Sequence, residues 1–386
     1  MGLQAFRVPK DIIFGENALS HLATLEGKRA TIVTGGNSMK RFGFLDEAKL
    51  QLEKAGMEVS IVDGVEPNPS IKTVIDGGAA MAKFNPDWIV AVGGGSALDA
   101  AKIMWVYYEY PETKFEDLVA GKFPKLRTKA KFIACPSTSG TASEITAFSV
   151  ITDTENHIKY PLVSYEMTPD VALLDANVPA KMPPHITAHT GMDVMTHAIE
   201  AYVSTAATSY TDPLALEAIQ LVFDKMYTAY DDGSNIKARE DMHNASALAG
   251  MAFTNASLGL VHSMAHKIGG EFGITHGLAN AILMPYVVEY NRQATDKVTK
   301  LENILGIDNF PDEIRSLNSK IGIPGTLKEV TEVEITESKF NEVLDRMSKN
   351  AFDDPCTLTN PRTSSPEDVK KIFKCAFYGE SGLTIK

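Results

Sequence analysis

Short β-rich runs alternate with longer helical patterns along the first half of the chain, and this alternation restricts the fold more than any other feature. Segments 45–56 and 71–84 carry apolar residues at helical spacing, and Gly56 is placed to end the first of them. The β-rich runs around them are ATIVT (30–34), EVSIVD (58–63), DWIVAV (87–92), KFIACP (131–136), SVIT (149–152) and VALLD (171–175). Apolar strands separated by helices predict a parallel sheet that is covered on both faces. We therefore expect a Rossmann-like, doubly wound α/β domain at residues 1–181.

The pattern changes near residue 182. Pro183 and Pro184 interrupt the preceding element, and β-branched runs of strand length are nearly absent afterwards. Long helical patterns follow instead at 212–230, 235–253 and 278–291. This change predicts a second, all-helical domain at residues 182–386.

Composition narrows the functional classes. The chain has 37 Lys+Arg against 49 Asp+Glu and a formal net charge of −12, which argues against a nucleic-acid partner. Its 44% hydrophobic content excludes disorder as the main state. The three cysteines are far apart in sequence, which predicts a reducing, cytoplasmic environment. Neither a signal-peptide pattern nor an apolar run of about 18 residues is found, so we expect no membrane partner.

Two turns at predicted strand ends are candidates for phosphate binding. Strand 88–92 runs into Gly93, Gly94 and Gly95, and a helix is predicted to follow. Glycines allow a ligand close to the backbone, and a helix start favours an anion, although about half of such isolated glycine clusters bind nothing. The spacing is not G-x-G-x-x-G. A hydroxyl-rich segment, Ser137–Glu144, follows the next strand and is predicted to open a helix, with an ordinary N-cap as the alternative.

Seven of the nine histidines lie between His185 and His276, which suggests a metal site. At four-residue helical spacing, Asp193 converges with His197 and His262 converges with His266. With His276 there are five candidates for three or four ligand positions, and the spacing does not say which one is excluded. The remaining histidines are expected to be surface or interface residues (His185, His189) or structural (His21, His157, His243).

Several motifs together resemble the iron-containing (group III) alcohol dehydrogenases over essentially the whole length. They are GGGSALDAAK (93–102), PSTSGTASE (136–144), TGMDVMTHAIEAY (190–202), HSMAHKIGG (262–270), THG (275–277) and CTLTNPR (356–362). The resemblance implies a nucleotide-binding α/β domain and a helical domain, with the active site in the cleft between them. It also implies that Asp193, His197, His262 and His276 bind Fe²⁺, or Zn²⁺ in its place. His266 is then left unligated near the nicotinamide, as our candidate catalytic proton relay.

The resemblance also assigns cofactor contacts. These are Gly94, Gly95, Ser96, Asp99 (supporting the glycine turn), Thr138, Thr141, Lys159 and Asn68 (near the adenosine side). The chain departs from NAD-preferring members at the end of the first predicted strand. Those members carry an aspartate there, whereas this chain has Gly35, Gly36, Asn37 and Ser38. Without that carboxylate, we expect Gly35 to leave room for a 2′-phosphate, with Asn37, Ser38, Lys40 or Arg41 as its hydrogen-bond donor. We therefore expect NADP(H) to be preferred over NAD(H).

The expected reaction is hydride transfer between the nicotinamide and short or medium-chain primary alcohols and aldehydes, by a homodimer or higher homo-oligomer. Phe148, Phe253 and Cys356 are candidates for the substrate pocket or, equally, for the core. The alternatives are glycerol dehydrogenase-like or dehydroquinate synthase-like metalloenzymes. The synthase needs several basic residues, but Lys267 is the only base near the ligand helices. A non-catalytic metal-binding protein would not explain two phosphate-binding turns.

Overall fold

The computed structural model describes residues 5–156 and 158–379, and the chain divides into two compact units between Met182 and Pro183. His157, expected to be structural, lies outside the described residues. In the described part, no helix combines the length and the apolar character needed to cross a membrane.

The first unit is built on a six-stranded parallel sheet with the order β1-β8-β5-β4-β2-β3. Its strands are β1 (Asp11–Gly15), β2 (Arg29–Gly35), β3 (Glu58–Val65), β4 (Trp88–Gly93), β5 (Lys131–Pro136) and β8 (Val171–Asp175), with β6 (Phe148–Asp153) and β7 (Ile158–Val163) outside this sheet. Alternate side chains of β4 enter two separate cores: Ile89 and Ala91 lie in one, and Val90 and Val92 lie in the other. Both faces of the sheet are therefore covered, as predicted.

Five helices accompany these strands. They are α1 (Ser38–Arg41), α2 (Phe44–Lys54), α3 (Ile71–Phe84), α4 (Gly95–Glu109) and α5 (Phe115–Val119). The Ser70 hydroxyl caps α3 by accepting a hydrogen bond from the Thr73 backbone N–H. Gly56, just beyond the end of α2, has a φ of 82°, a conformation that suits glycine.

Two local predictions for the first unit are wrong. The run 149–152 is not a strand of the parallel sheet, because β6 pairs antiparallel with β7 in a separate hairpin. The four-residue connection 154–157 is too short for the crossover that a parallel pair needs. The segment after β5 opens no helix either: residues 137–147 form turns, with Ala142 at a φ of 53°, and lead into β6.

The second unit is helical, and its described residues contain no strand. Its helices are α6 (Pro184–Val203), α7 (Asp212–Asp231), α8 (Ile236–Ala256), α9 (Leu260–Phe272), α10 (His276–Asn291), α11 (Lys297–Leu305), α12 (Phe310–Lys320), α13 (Glu337–Phe352) and α14 (Pro366–Tyr378). Pro184 occupies the first position of α6, where its missing N–H is tolerated. The predicted combination of a parallel α/β sheet with a helical C-terminal region is confirmed.

Candidate metal centre and nucleotide-binding turns

The glycine turn lies where an open α/β sheet binds ligands. It follows β4, whose neighbours are β2 and β5, at the point where the strand order changes direction. The Thr34 hydroxyl donates to the Val92 carbonyl at 2.8 Å and joins the ends of β2 and β4. A Cβ on Gly93 would lie 2.9 Å from the Cβ of Ala97, so glycine allows α4 to begin directly after the strand. The start of α4 therefore faces the carboxyl edge of the sheet.

The turns after β5 pack against these glycines. A Cβ on Gly95 would lie 2.9 Å from the methyl carbon of Thr141, and one on Gly94 would lie 3.8 Å from that of Thr138. Both predicted threonines are thus next to the glycine turn, although no helix begins there. Backbone amides of α4 and two hydroxyl-bearing side chains share one region, an arrangement suited to a phosphate.

Asn68 lies next to the glycine turn, and Lys159 is connected to that segment only through its hairpin partner Thr152. The Asn68 backbone N–H lies 3.4 Å from the Ser96 hydroxyl oxygen, and Asn68 has a φ of 55°. The next residue, Pro69, accepts a hydrogen bond at 2.8 Å from the N–H of Thr152, which is paired with Lys159 across the hairpin. Partial burial lowers the pKa of the Lys159 ammonium.

Asp99 connects α4 to the residues that follow β5. Its carboxylate accepts hydrogen bonds from the Ser143 hydroxyl at 2.6 Å and from the Val150 N–H at 2.9 Å. Burial raises the pKa of Asp99, against the opposing effect of the nearby Lys102 ammonium. Lys102 itself donates to the carbonyls of Thr146 and Phe148 at 2.9 and 2.7 Å. These contacts hold the 143–150 segment against α4.

Close packing between neighbouring strands requires glycine at position 35. A Cβ at this position would lie only 2.6 Å from the carbonyl oxygen of Val65 on the neighbouring strand β3. Gly36 has a φ of 59°, and Asn37 and Ser38 after it are exposed at the start of α1. Lys40 and Arg41 are exposed as well. The end of β2 thus carries a close backbone contact, followed by accessible hydrogen-bond donors.

A carboxylate and three imidazoles converge in the second unit. Asp193 and His197 lie on α6, His262 lies on α9, and His276 is the first residue of α10. The Asp193 Oδ1 atom is 3.5, 3.8 and 4.0 Å from the Nε2 atoms of His276, His262 and His197. Donor atoms of Asp193, His262 and His276 all lie within 4.8 Å of one another, whereas His197 is outside that group of three and stacks on the His262 ring at 4.6 Å.

Asn280 is a member of this cluster that the sequence analysis missed. Its side-chain N–H₂ donates to Asp193 Oδ1 at 2.8 Å and lies 3.1 and 3.4 Å from the Nε2 atoms of His276 and His262. Within the described residues its buried Oδ1 atom has no hydrogen-bond partner. The sequence feature that could have identified Asn280 is its position four residues after His276, on the same face of α10.

Glu200 was also missed, although it follows His197 by three residues on α6. Its carboxylate lies 2.6 Å from Nδ1 of His262, and the side chain is 3% exposed. Burial raises the pKa of Glu200 to about 8, while N–H donors from Gly259, Val261 and His262 favour the ionised form. Burial and the neighbouring imidazoles keep the pKa of His262 well below its usual value. A neutral imidazole is the form that can donate a lone pair to a cation.

His266 lies beside the cluster but has a different partner. Its Nδ1 atom is 3.2 Å from Asp354 Oδ2, which also accepts a hydrogen bond from the Lys267 ammonium at 2.8 Å. Burial opposes ionisation of Asp354, but His266 and Lys267 outweigh it and hold the pKa of that carboxyl well below its usual range. The His266 ring stacks on His276 at 5.6 Å, and donor atoms of His266, Asp354 and Cys356 form a second close group.

Two other residues considered in the sequence analysis, Phe253 and His189, lie next to residues of the cluster or of its helices. Phe253 is 4% exposed and stacks on the ring of His197 at 4.3 Å, so it supports a residue of the cluster. His189 was expected at a surface or interface, and the surface assignment is wrong. It is 9% exposed, and its Nδ1 lies 3.1 Å from the hydroxyl of Thr275, immediately before His276.

Comparison with known proteins finds relatives over nearly the whole chain. Residues 9–176 match the family "Iron-containing alcohol dehydrogenase", and residues 187–377 match "Fe-containing alcohol dehydrogenase family, C-terminal". The chain is 48% identical to the NADPH-dependent butanol dehydrogenase of Clostridium saccharobutylicum, over 98% of this chain and 99% of that protein. It is 39% identical to an aldehyde-alcohol dehydrogenase of Streptococcus pneumoniae, about half of whose length it spans (46%).

A solved iron-containing alcohol dehydrogenase from Thermococcus thioreducens has the same fold. It superposes with a TM-score of 0.91 at 34% identity, over 97% of this chain and the whole of that chain. Both halves of the chain match the same family, and the resemblance predicted from the sequence motifs is confirmed. The chain belongs to the iron-containing alcohol dehydrogenase family of oxidoreductases.

Proposed function

We propose that this enzyme reversibly transfers hydride between NADP(H) and short or medium-chain primary alcohols and aldehydes, with a divalent metal held by Asp193, His197, His262 and His276. Residues 1–181 form the nucleotide-binding domain and residues 182–386 the metal-binding domain, a division within one residue of the boundary between the two compact units. The convergence of three imidazoles on the Asp193 carboxylate carries this proposal.

The donor set fits iron or zinc. Ligand atoms about 2.1 Å from a tetrahedral metal are about 3.4 Å apart. The three Nε2 atoms are 3.5 to 4.0 Å from Asp193 Oδ1, so a small contraction brings them to that spacing. One carboxylate with three neutral imidazoles suits first-row divalent ions. The Asn280 amide, within hydrogen-bond range of three of these residues, supports the view that their lone pairs point at one place.

The metal would act as a Lewis acid on the substrate oxygen. His266 is our candidate for proton transfer: its side chain is 37% exposed, and Asp354 holds its Nδ1 side. That contact leaves Nε2 as the ring nitrogen available to exchange a proton with substrate or water. The backbone amides at the start of α4, with Ser96, Thr138 and Thr141, would bind the cofactor pyrophosphate.

The preference for NADP(H) is supported by the end of β2. It has no carboxylate to repel a 2′-phosphate, and it exposes Lys40 and Arg41. The Clostridium saccharobutylicum relative is named as NADPH-dependent, which agrees with this assignment.

A cytoplasmic homo-oligomer completes the proposal. None of the three cysteines, all of which lie in the described part of the chain, forms a disulfide, in keeping with a reducing compartment. Phe14 on the edge strand β1 is 66% exposed, an apolar surface that a second copy can cover. Light scattering after size-exclusion chromatography tests the oligomeric state.

The deciding experiment measures oxidation of NADPH and NADH with butyraldehyde. The protein is purified without oxygen, stripped of metal, and reconstituted separately with Fe²⁺ and Zn²⁺. We expect activity that requires metal and favours NADPH. Activity with NADH alone would remove the cofactor preference, and inactivity with both cofactors would contradict the proposed reaction.

A further inference from the structure

We propose that Glu200 is a positioning residue of the metal centre: its carboxylate fixes the tautomer and ring orientation of His262 and holds the backbone at the start of α9. This inference rests on the proposed metal site. Glu200 is not placed among the metal donors, and its effect acts through His262.

The contacts of Glu200 all join it to the beginning of α9. One oxygen, Oε2, accepts the Gly259 backbone N–H at 2.9 Å and lies 2.6 Å from His262 Nδ1. The other oxygen, Oε1, accepts the Val261 N–H at 2.6 Å. Three groups from four consecutive positions of the chain thus share one carboxylate. The carboxylate thereby fixes both the path of the backbone and the His262 ring.

This arrangement selects the tautomer that can bind a metal through Nε2. The Gly259 and Val261 N–H donors favour the ionised form of Glu200, and towards that form His262 donates Nδ1–H and keeps the free lone pair on Nε2. That atom is 3.8 Å from Asp193 Oδ1, on the side where the other imidazoles converge. A carboxylate behind a metal-binding histidine is a recurrent device that orients the ring and increases its basicity.

The charge balance also favours a cation on the far side of His262. Glu200 is 3% exposed, and the His262 imidazole beside it is neutral and supplies no positive charge. Asp193, which is 3% exposed, adds a second buried carboxylate. Buried carboxylates without a cation are costly, and a divalent ion between the imidazoles would compensate for both.

Gly259 makes room for this contact. A Cβ at this position would lie 2.9 Å from Glu200 Oε1 and 3.1 Å from Asn360 Oδ1. The Gly259 φ of −149° is accessible to any residue, so space and not backbone strain is the reason for glycine. The substitution Gly259→Ala therefore displaces the Glu200 carboxylate while keeping its charge.

The substitution Glu200→Gln separates the positioning role from simple space filling. Glutamine has the same shape, but one of its two terminal atoms is an N–H₂ donor. If that N–H₂ faces His262, the ring must accept at Nδ1 and protonate Nε2, which then cannot bind the metal. If it faces Val261 instead, two donors oppose each other and the start of α9 must shift. Either orientation weakens the metal site.

Glu302→Gln is the matched control. Glu302 is also buried, at 5% exposure, in the same unit, and accepts the Phe310 backbone N–H at 2.8 Å. Its side-chain partner is Arg292 rather than a histidine of the cluster. Loss of a buried carboxylate should destabilise both variants, but only Glu200→Gln should change metal binding.

The test titrates the metal-free full-length protein with Zn²⁺ in competition with a chelator, and records the visible absorption spectrum of the Co²⁺ form. Circular dichroism monitors folding of each metal-free variant. We expect Glu200→Gln to bind Zn²⁺ about 10–100-fold more weakly than the parent and to alter the Co²⁺ spectrum. Glu302→Gln should stay within about twofold of the parent, since a residue outside the coordination environment changes neither readout.

Zn²⁺ affinity of Glu200→Gln within about threefold of the parent, with an unchanged Co²⁺ spectrum, would overturn the positioning role while leaving the metal site intact. A parent protein that binds neither ion would instead contradict the proposed metal site, and this inference with it. If Glu200→Gln does not fold, Gly259→Ala decides: weaker Zn²⁺ binding supports the role, and unchanged binding refutes it.

Discussion

Replacing Gly277 by alanine is expected to destabilise the helical unit and to weaken its metal site together. Gly277 is the second residue of α10, where a Cβ would lie 2.1 Å from the carbonyl oxygen of His189 on α6. A carbon and an oxygen normally approach to about 3.3 Å, so the two helices must separate by about 1.2 Å. The obstacle is backbone, which cannot rotate out of the way.

The size of the effect follows from this overlap. Inserting a methyl group into a packed interior typically costs about 1–3 kcal/mol. Because backbone is the obstacle on both helices, we expect the upper end, about 3 kcal/mol of unfolding free energy. For a unit of this size, each kcal/mol lowers Tm by about 2–4 °C, which gives a decrease of about 6–12 °C.

The same displacement reaches the proposed metal donors. His276 directly precedes Gly277, and Asp193 follows His189 by one turn of α6. Donor positions tolerate displacements of only about 0.5 Å, less than the separation required. Zn²⁺ affinity should therefore fall together with Tm.

Thermal unfolding of the metal-free protein, followed by circular dichroism in the presence of chelator, measures the stability change without any contribution from bound metal. Gly270→Ala is the control: Gly270 is exposed on α9, and a Cβ there meets nothing within 4 Å. Alanine at that helical position should stabilise by about 0.5–1 kcal/mol. A Gly277→Ala protein that melts within about 2 °C of the parent would refute the packing argument.

Three further predictions test other parts of the molecule. His262→Ala should lose metal and activity together, whereas His266→Ala should keep the metal and lose about 10²–10⁴-fold in kcat. Elemental analysis measures the bound metal, and metal loss from His266→Ala would contradict the roles assigned to these two histidines. Arg41→Ala should raise KM for NADPH about tenfold but leave KM for NADH within about twofold, because it removes a positive charge that we propose binds the 2′-phosphate; equal changes in steady-state assays would count against this. Burial opposes ionisation of Glu109, but the backbone N–H donors of residues 128–130 outweigh it and lower the pKa of this carboxyl below 4.5. The ionised Glu109 therefore stabilises the folded protein above pH 4.5, and this contribution is lost as the pH falls through the lower pKa of the folded state. Glu109→Gln should therefore lower the unfolding free energy by about 2–3 kcal/mol near pH 7, with a gap that narrows below pH 4.5 in melts at a series of pH values; a constant gap would contradict the sign.

Periodicity predicted the elements whose environment is uniform along their length. The strands β4 and β5 are apolar on both faces, so their runs are continuous and easily recognised. Helix α3 has the predicted bounds because Ser70 caps it in the expected manner. The hairpin was misassigned because strand propensity does not distinguish a parallel from an antiparallel partner, and only the length of the connection does.

The five candidate metal ligands stood out in the sequence because aspartate and histidine are chemically distinctive, and two of their pairs have four-residue helical spacing; the choice of four came from the family resemblance. Glu200 and Asn280 were missed for the opposite reason. Both lie on the right helical faces, but a glutamate or an asparagine on a helix is usually exposed, and its burial depends on residues distant in sequence. Gly35 shows the same limit, since its close approach to Val65 arises from strand pairing and not from its neighbours in the chain.

The pairing of β1 with β8 has a consequence for how the first unit is completed. Asp11 pairs with Val171, so during synthesis β1 remains without its partner until the chain has been made as far as β8. Contacts between such distant positions slow folding, because a long loop must close before they form. Residues from β2 to β5 can assemble their own parallel pairs earlier, which makes β1 the last strand to join during synthesis. A nascent chain that stops before β8 would therefore expose the edge of β5, a site for incorrect pairing with another chain.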